Sequence, residues 1–363
     1  MTLKKTSLYE RHNAMGAKIV PFAGYYMPIQ YSSGIIDEHL TVRNSVGIFD
    51  VSHMGEFEVR GAKATEFINK MTTNNVLKLE INQVQYSIML YEDGGVVDDL
   101  LVYRFEDHYM LVVNAANLEK DYKWLHSHLI DDVELIDKSD SITLLAVQGP
   151  KSLELVSRIA DGDISDMPYY HFSRGKVAGV DAIISRTGYT GEFGFELYIQ
   201  NADGEKLWDT LFEEGKTYGI KPIGLGARDS LRLEAAYCLY GNDIDKTTNP
   251  VEAGLGWVLK TKKPGGFIGL DAVLEKRQNM QRKLIGFKLL GKGIPRHEQE
   301  IMIDGEIVGK VTSGGFSPIL ECGIGLGYVN IPHNEIGTKI DISARGRITP
   351  AEIVNTPFYK RTD

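Results

Sequence analysis

Residues 94–117 read GGVVDDLLVYRFEDHYMLVVNAAN, two apolar runs joined by the polar turn Glu106-Asp107-His108. Runs rich in Val, Leu and Tyr on either side of a short charged turn predict a long antiparallel hairpin. The stretch LEKDYKWLHSHL, residues 118–129, follows directly and has the spacing of an amphipathic helix. A hairpin that feeds a helix points to α+β sandwiches rather than to repeated βαβ units. The hairpin also poses a problem, because two adjacent carboxylates, Asp98 and Asp99, fall inside a strand that otherwise reads as buried. An ionised acid without a partner is costly there. In an extended chain Asp99, Leu101, Tyr103 and Phe105 share one face, and Asp98, Leu100, Val102 and Arg104 share the other. Turn chemistry beside the glycine pair accounts for Asp98 better than for Asp99, which lies deeper in the run. A carboxyl held among apolar groups has a raised pKa and a usable proton.

Outward from the hairpin, GEFEVRG (55–61) alternates Phe57 and Val59 with Glu56 and Glu58. This predicts a half-buried strand whose glutamates occupy its polar face. AKATEFINKMT (62–72) then places Ala64, Phe67, Ile68 and Met71 at helical spacing. Near residues 276–283 the charged helical stretch DAVLEKRQNMQRK gives way to short β runs separated by Gly and Pro, such as EIVGKVTSGG and GIGLGYVNI. Short strands with regular turns predict a small all-β barrel or sandwich, which divides the chain into residues 1–277 and 278–363.

Composition narrows the function classes. At 363 residues the chain exceeds one ordinary core, and no apolar run approaches the roughly 18 residues that cross a membrane. The start, MTLKKTSLYERHNAMG, has no apolar segment of the kind that directs secretion, so a soluble cytoplasmic protein is expected. A net charge of −9 argues against general nucleic-acid binding, which needs a surplus of Lys and Arg. Residues 278–363 are mildly basic, with 11 Lys and Arg against 9 Asp and Glu. Cys238 and Cys322 are solitary, which disfavours a disulfide framework or a zinc ribbon. Hydrolase-elbow, Walker A and HExxH signatures are lacking, and His126 and His128 read as solvated, so no metal is expected.

Two further stretches carry chemistry. In RTGYTGEFGFELYI (186–199), Gly188, Gly191 and Gly194 recur every third residue, and Phe195, Leu197 and Ile199 then alternate with Glu196 and Tyr198. Glu196 is either a solvent-facing strand residue or a ligand acceptor. In GLGARDSLRLEAAY (224–237), Ala227, Leu231 and Ala235 mark one face of a helix whose first turn holds Arg228. A cation there opposes the helix dipole, so either a local pair with an acid or an anionic ligand holds it. The Gly-x-Gly entry lacks the third glycine of a dinucleotide site.

These stretches, taken with FDVSHMGE (49–56), QYSIML (85–90), NPVEAGLGWVL (249–259) and TPFYK (356–360), closely resemble the aminomethyltransferase, or T-protein, family of the glycine cleavage system. The resemblance covers nearly the whole chain. It implies an α+β, three-domain cloverleaf-like fold, with two α/β sandwich domains of mainly antiparallel sheets intertwined in residues 1–277 and a C-terminal β-barrel. It also implies a reaction, in which the aminomethyl group on the lipoyl arm of the H-protein loses ammonia and its carbon passes to tetrahydrofolate. Tetrahydrofolate is then a co-substrate and the lipoylated H-protein a partner, with no nucleic acid, membrane or metal involved. Asp99 matches the family's essential aspartate, and Glu196 and Arg228 match its folate pocket. A carboxylate suits the paired N–H groups of a pterin's amide edge. Met54, Tyr86, Tyr103, Phe172 and Tyr189 are the family-matched candidates for the walls around the rings, and Arg361, with Tyr359 or Lys360 as substitutes, for the anionic tail. Two relatives compete. A free-standing folate-dependent demethylase would not need H-protein, and the non-enzymatic folate factor of iron–sulfur assembly carries a KGCYxGQE-like stretch where this chain has GLGARDSLRLEA.

Overall fold

The computed structural model describes residues 2–344 and 346–361. They form two compact units. The first comprises the residues up to Ile68, Asn75–Ser87 and Leu100–Arg228, and the second Asn69–Asn74, Ile88–Asp99 and the residues from Asp229 onward.

Two sheets lie within the first unit and a third lies mostly in it. The smallest joins Lys4–Lys5 (β1), Lys18–Phe22 (β2) and Tyr25–Gln30 (β3) in the order β1-β3-β2. A five-stranded sheet is built from Gly55–Arg60 (β5), Val84–Leu90 (β6), Val96–Arg104 (β7), Tyr109–Val113 (β8) and Glu134–Asp137 (β9), in the order β6-β7-β8-β5-β9. The expected hairpin is present, with β7 and β8 antiparallel and Leu101 opposite Val112. A six-stranded sheet runs β11-β12-β13-β10-β4-β14, from Gly47–Asp50 (β4), Ile142–Gln148 (β10), Phe172–Val177 (β11), Val180–Ser185 (β12), Gly194–Gln200 (β13) and Lys221–Pro222 (β14). The unit boundary cuts β6 after Ser87 and β7 after Asp99.

Strand alternation decides what each face of the six-stranded sheet does. Ile48, Leu145, Val147, Ile184, Phe195, Leu197 and Ile199 all point to one side. There they pack with Leu155 and Val156 of the helix Ser152–Ile159 (α5) and with Leu207, Trp208 and Leu211 of Gly204–Gly215 (α6). Each such aliphatic side chain removed from water contributes about 1.5–3 kcal/mol. The opposite face carries the row Ser185, Glu196, Ala146 and Phe49, which are direct cross-strand partners. The five-stranded sheet is lined on its other side by Leu118–Ser127 (α4), where Phe57 meets Tyr122 edge-on at 5.5 Å between ring centroids.

Tyr9–Ala14 (α1) and Ile35–Asn44 (α2) are further helices of the first unit, and α1 supplies His12 to a buried polar cluster. His12 Nε2 lies 2.8 Å from Asp50 Oδ2, the Tyr31 hydroxyl lies 2.9 Å from His12 Nδ1, and Thr6 and Ser52 donate their hydroxyls to the same carboxylate. Burial by itself would raise the Asp50 pKa, but the His12 imidazole and the two hydroxyls outweigh it and hold the acid at about 2, below its usual 3.8. The stabilisation is therefore complete above pH about 4 and is lost as pH falls through about 2. Asp50→Asn is expected to cost about 2 kcal/mol at pH 7 and to flatten the acid limb of the stability profile, as read from urea midpoints between pH 5 and 2.

In the second unit, Arg282–Leu289 (β15), Glu300–Ile303 (β16), Glu306–Ser317 (β17), Cys322–Asn330 (β18), Lys339–Ala344 (β19) and Arg347–Val354 (β20) close into a barrel in the order β15-β18-β17-β16-β19-β20. Phe287, Ile301, Val311, Val329, Ile342 and Ile353 fill it. The alternating glycines of GIGLGYVNI have a steric reason, since a Cβ on Gly325 would lie 2.4 Å from the Phe287 ring. Leu270–Gln278 (α8) precedes the barrel, and the helices Ala64–Met71 (α3) and Leu225–Glu234 (α7) each run across a unit boundary.

Candidate active site

The first unit gathers most of the residues singled out in the sequence. Glu196 stands on β13 on the face away from the helices, as its alternation with Leu197 requires, and is half-buried rather than open to solvent. The Thr187 hydroxyl donates to Glu196 Oε2. Behind it lies a chain of hydroxyls, with Ser185 Oγ 2.9 Å from Thr187 Oγ1, and the Tyr103 oxygen 3.0 Å from Ser185 Oγ and 2.9 Å from the Tyr198 oxygen. Burial pushes the Glu196 carboxyl above its ordinary range, while the Thr187 hydroxyl and the positive charge of Arg228 pull in the opposite direction. The Arg228 guanidinium sits 4.8 Å from the centre of the Tyr189 ring, a cation–π contact.

The glycine periodicity of 186–194 now has a cause. A Cβ on Gly188 would lie 2.1 Å from the Gln148 amide and one on Gly194 2.2 Å from it, so the two glycines form the walls of a slot for that side chain. Gln148 Nε2 donates to the Thr187 and Phe195 carbonyls, and Thr190 donates to its Oε1. Gly191 turns the loop with φ of 78°. Arg43 anchors the loop from α2, donating to Glu192 at 2.9 Å and to the Thr190 carbonyl at 2.8 Å.

Of the expected ring walls, Met54, Tyr86 and Tyr189 are half-buried. Tyr103 and Phe172 lie deeper, at 0% and 2% exposure, with ring centroids 5.3 Å apart, and Phe105 packs on Phe172 at 4.5 Å. They form a packed aromatic layer behind Glu196. Tyr103→Phe should lower stability by about 1 kcal/mol in a urea titration, because one hydroxyl leaves a network that otherwise stays paired.

Asp98, Asp99 and Arg361 belong to the second unit. Asp98 is fully buried and Asp99 keeps partial access to solvent. The glycine pair ahead of them serves a close approach, since a Cβ on Gly95 would lie 2.1 Å from the Lys246 carbonyl oxygen. Burial, reinforced by the charges of Asp243 and Asp99, pushes the Cys238 thiol well above its normal range. Arg361 is half-buried, in a C-terminal segment tied down where the Tyr359 N–H donates to the Glu234 carbonyl at 2.9 Å.

Two polar groups near this site escaped the sequence reading. Glu56, expected on the polar face of β5, is 1% exposed, and neither carboxyl oxygen has a hydrogen-bond partner among the described residues. Its alternation with Phe57 holds, but the polar face of β5 is covered by protein and not by water. His53 is equally buried with Nδ1 unpartnered among the described residues, and burial together with the Arg228 charge pushes its pKa down to about 3, so the imidazole is neutral. Local pattern carried no signal for either. Among the described residues no cluster of three or more His, Cys, Asp or Glu side chains could hold a metal, and no helix is long and apolar enough to cross a membrane.

Comparison with known proteins places this architecture in a class. Residues 8–263 match the GCVT N-terminal domain and residues 282–360 the glycine cleavage T-protein C-terminal barrel domain. Proteins named aminomethyltransferase from Bacteroides fragilis and Phocaeicola vulgatus are each 52% identical over 99% of this chain and 100% of their own length. The crystal structure of glycine cleavage system aminomethyltransferase T from Bartonella henselae superposes with a TM-score of 0.93 at 34% identity, covering 99% of both chains. The chain thus belongs to the glycine cleavage T-protein family. It is an enzyme of the aminomethyltransferase type, and the α+β fold with a closed C-terminal barrel expected from the sequence is the one observed.

Proposed function

We propose that this chain takes the aminomethyl group carried on the lipoyl sulfur of an H-protein, releases its nitrogen as ammonia and delivers its carbon to tetrahydrofolate as 5,10-methylenetetrahydrofolate. The bonds balance. The carbon loses its bonds to sulfur and nitrogen and gains bonds to N5 and N10 of the folate, and the two protons displaced from those nitrogens leave on the thiol and on ammonia. The observation that carries this reading is similarity to proteins named aminomethyltransferase, at 52% identity over 99% of this chain and 100% of theirs.

Glu196 accepts the paired N–H groups of the pterin edge, which its half-buried position and the pull of Thr187 and Arg228 towards the ionised form support. Arg228 fixes this acid, and Tyr189, Tyr86 and Met54 flank the rings, with Tyr103 and Phe172 as the packed floor. Asp99 manages protons at the folate nitrogens and stabilises the cationic carbon as it forms. Its partial solvent access is compatible with that contact. Arg361 meets the anionic tail. The enzyme works in the cytoplasm, with residues 1–277 as its folate-binding region and residues 278–363 as its barrel domain.

The test is reconstitution of glycine cleavage with and without lipoylated H-protein. Formation of methylenetetrahydrofolate and ammonia only when it is present supports the assignment. Demethylation of a free amine without H-protein overturns it.

A further inference from the structure

Glu56 is a buried acid that the reaction as proposed leaves unused. Its place is set by strand register. Glu56 lies opposite Val112, and Val112 opposite Leu101, so the three side chains share one face of the five-stranded sheet. Leu101 and Tyr103 alternate on β7 and share that face as well. Tyr103 points at the six-stranded sheet, since its hydroxyl meets Tyr198 and Ser185 there. Glu56 therefore projects into the layer between the two sheets, opposite the face that presents Glu196.

Among the described residues, the charged and titratable groups that act on it from the surrounding elements are Asp137 of β9, Glu196 and Tyr198 of β13, and Tyr25 of β3. None is a cation. Burial pushes the Glu56 carboxyl well above the usual carboxylate range, and the charges of Asp137 and Glu196 push it further. Two acids in one dry layer compete for a single favourable ionisation. Glu196 has a hydroxyl donor and the Arg228 charge in its favour, whereas both Glu56 oxygens lack a donor among the described residues.

We propose that Glu56 is a positioning residue, a carboxylic acid kept protonated behind Glu196 so that the interlayer pair carries one negative charge and carries it on the carboxylate that meets the pterin. The choice of ligand rests on the function proposed above, whereas the protonation of Glu56 does not. Glu56 ionises in the unfolded chain and takes up a proton on folding, so the folded state binds more protons and loses stability as pH rises above about 4.5. A ligand that further dries the layer disfavours a second charge, so binding is weakened once rising pH ionises Glu56, by up to about tenfold per pH unit.

The experiment compares the full-length wild type with Glu56→Gln, which keeps the shape and cannot ionise. Melting temperatures at pH 4.5 and pH 8 report the proton. The variant is expected to melt higher than wild type at pH 8, with the gap closing towards pH 4.5, and a gap equal at both pH values, or none, overturns the proposal. Calorimetric titration with tetrahydrofolate reports the positioning role. At pH 7 the two proteins should agree within about twofold, and on alkalinisation wild type should lose affinity while Glu56→Gln stays level. Identical pH profiles, or a large loss in Glu56→Gln at pH 7, overturn it. A wild type that binds no tetrahydrofolate at any pH overturns instead the function on which the positioning role rests.

Discussion

Asp99→Asn should bind tetrahydrofolate nearly as well as the wild type and lose methylene transfer by roughly 10²–10⁴-fold, the usual worth of a positioned acid–base group. The substitution preserves shape and removes both the charge and the proton-carrying capacity. Asp98 beside it is fully buried, while Asp99 is the member of the pair within reach of solvent. The role proposed for Asp99 thus goes to the more accessible acid of the pair, and the proposal leaves Asp98 to structure. Single-turnover measurement with loaded H-protein, in parallel with folate titration, separates the two effects. Wild-type turnover in Asp99→Asn removes the aspartate from the mechanism.

Glu196→Ala has the second large effect, a loss of folate affinity of about 2–4 kcal/mol, or roughly 30- to 1000-fold, because two charge-assisted hydrogen bonds go and the ligand's N–H groups are left facing protein. Titration calorimetry checks it directly, and equal affinity rejects the pterin role. A pH signature accompanies it. Only the ionised carboxyl accepts both N–H groups, and burial raises the Glu196 pKa above its ordinary 4.5. Affinity should therefore start to fall on acidification at a higher pH than an exposed glutamate would give, and Glu196→Ala should abolish that dependence.

Much of this was legible in the chain because alternation and turn chemistry are local. The β7–β8 hairpin, the α4 helix, the polarity of β13 and the Gly-rich barrel strands follow from patterns of two to four residues. Family resemblance, rather than pattern, picked out Asp99, Glu196 and Arg228 from equally plausible surface readings. What stayed hidden depends on register between distant strands. Glu56 alternates as a solvent-facing glutamate should, and only the sheet lying over β5 makes that face dry. The depth of Tyr103 and Phe172 has the same origin. Each is a ring-wall candidate by resemblance, and each is covered because the two sheets close on one another.

The slot that Gly188 and Gly194 make for Gln148 also bears on how the loop carrying Tyr189 can change over evolutionary time. Any side chain gained at either glycine must expel the glutamine, and a lone replacement of the glutamine abandons the Thr187, Thr190 and Phe195 partners. Single steps at the three positions are therefore penalised, and drift there requires concerted substitution. Altered substrate preference in this scaffold should accordingly arise by exchange of the half-buried aromatics on the loop, with its glutamine-and-glycine interlock inherited intact.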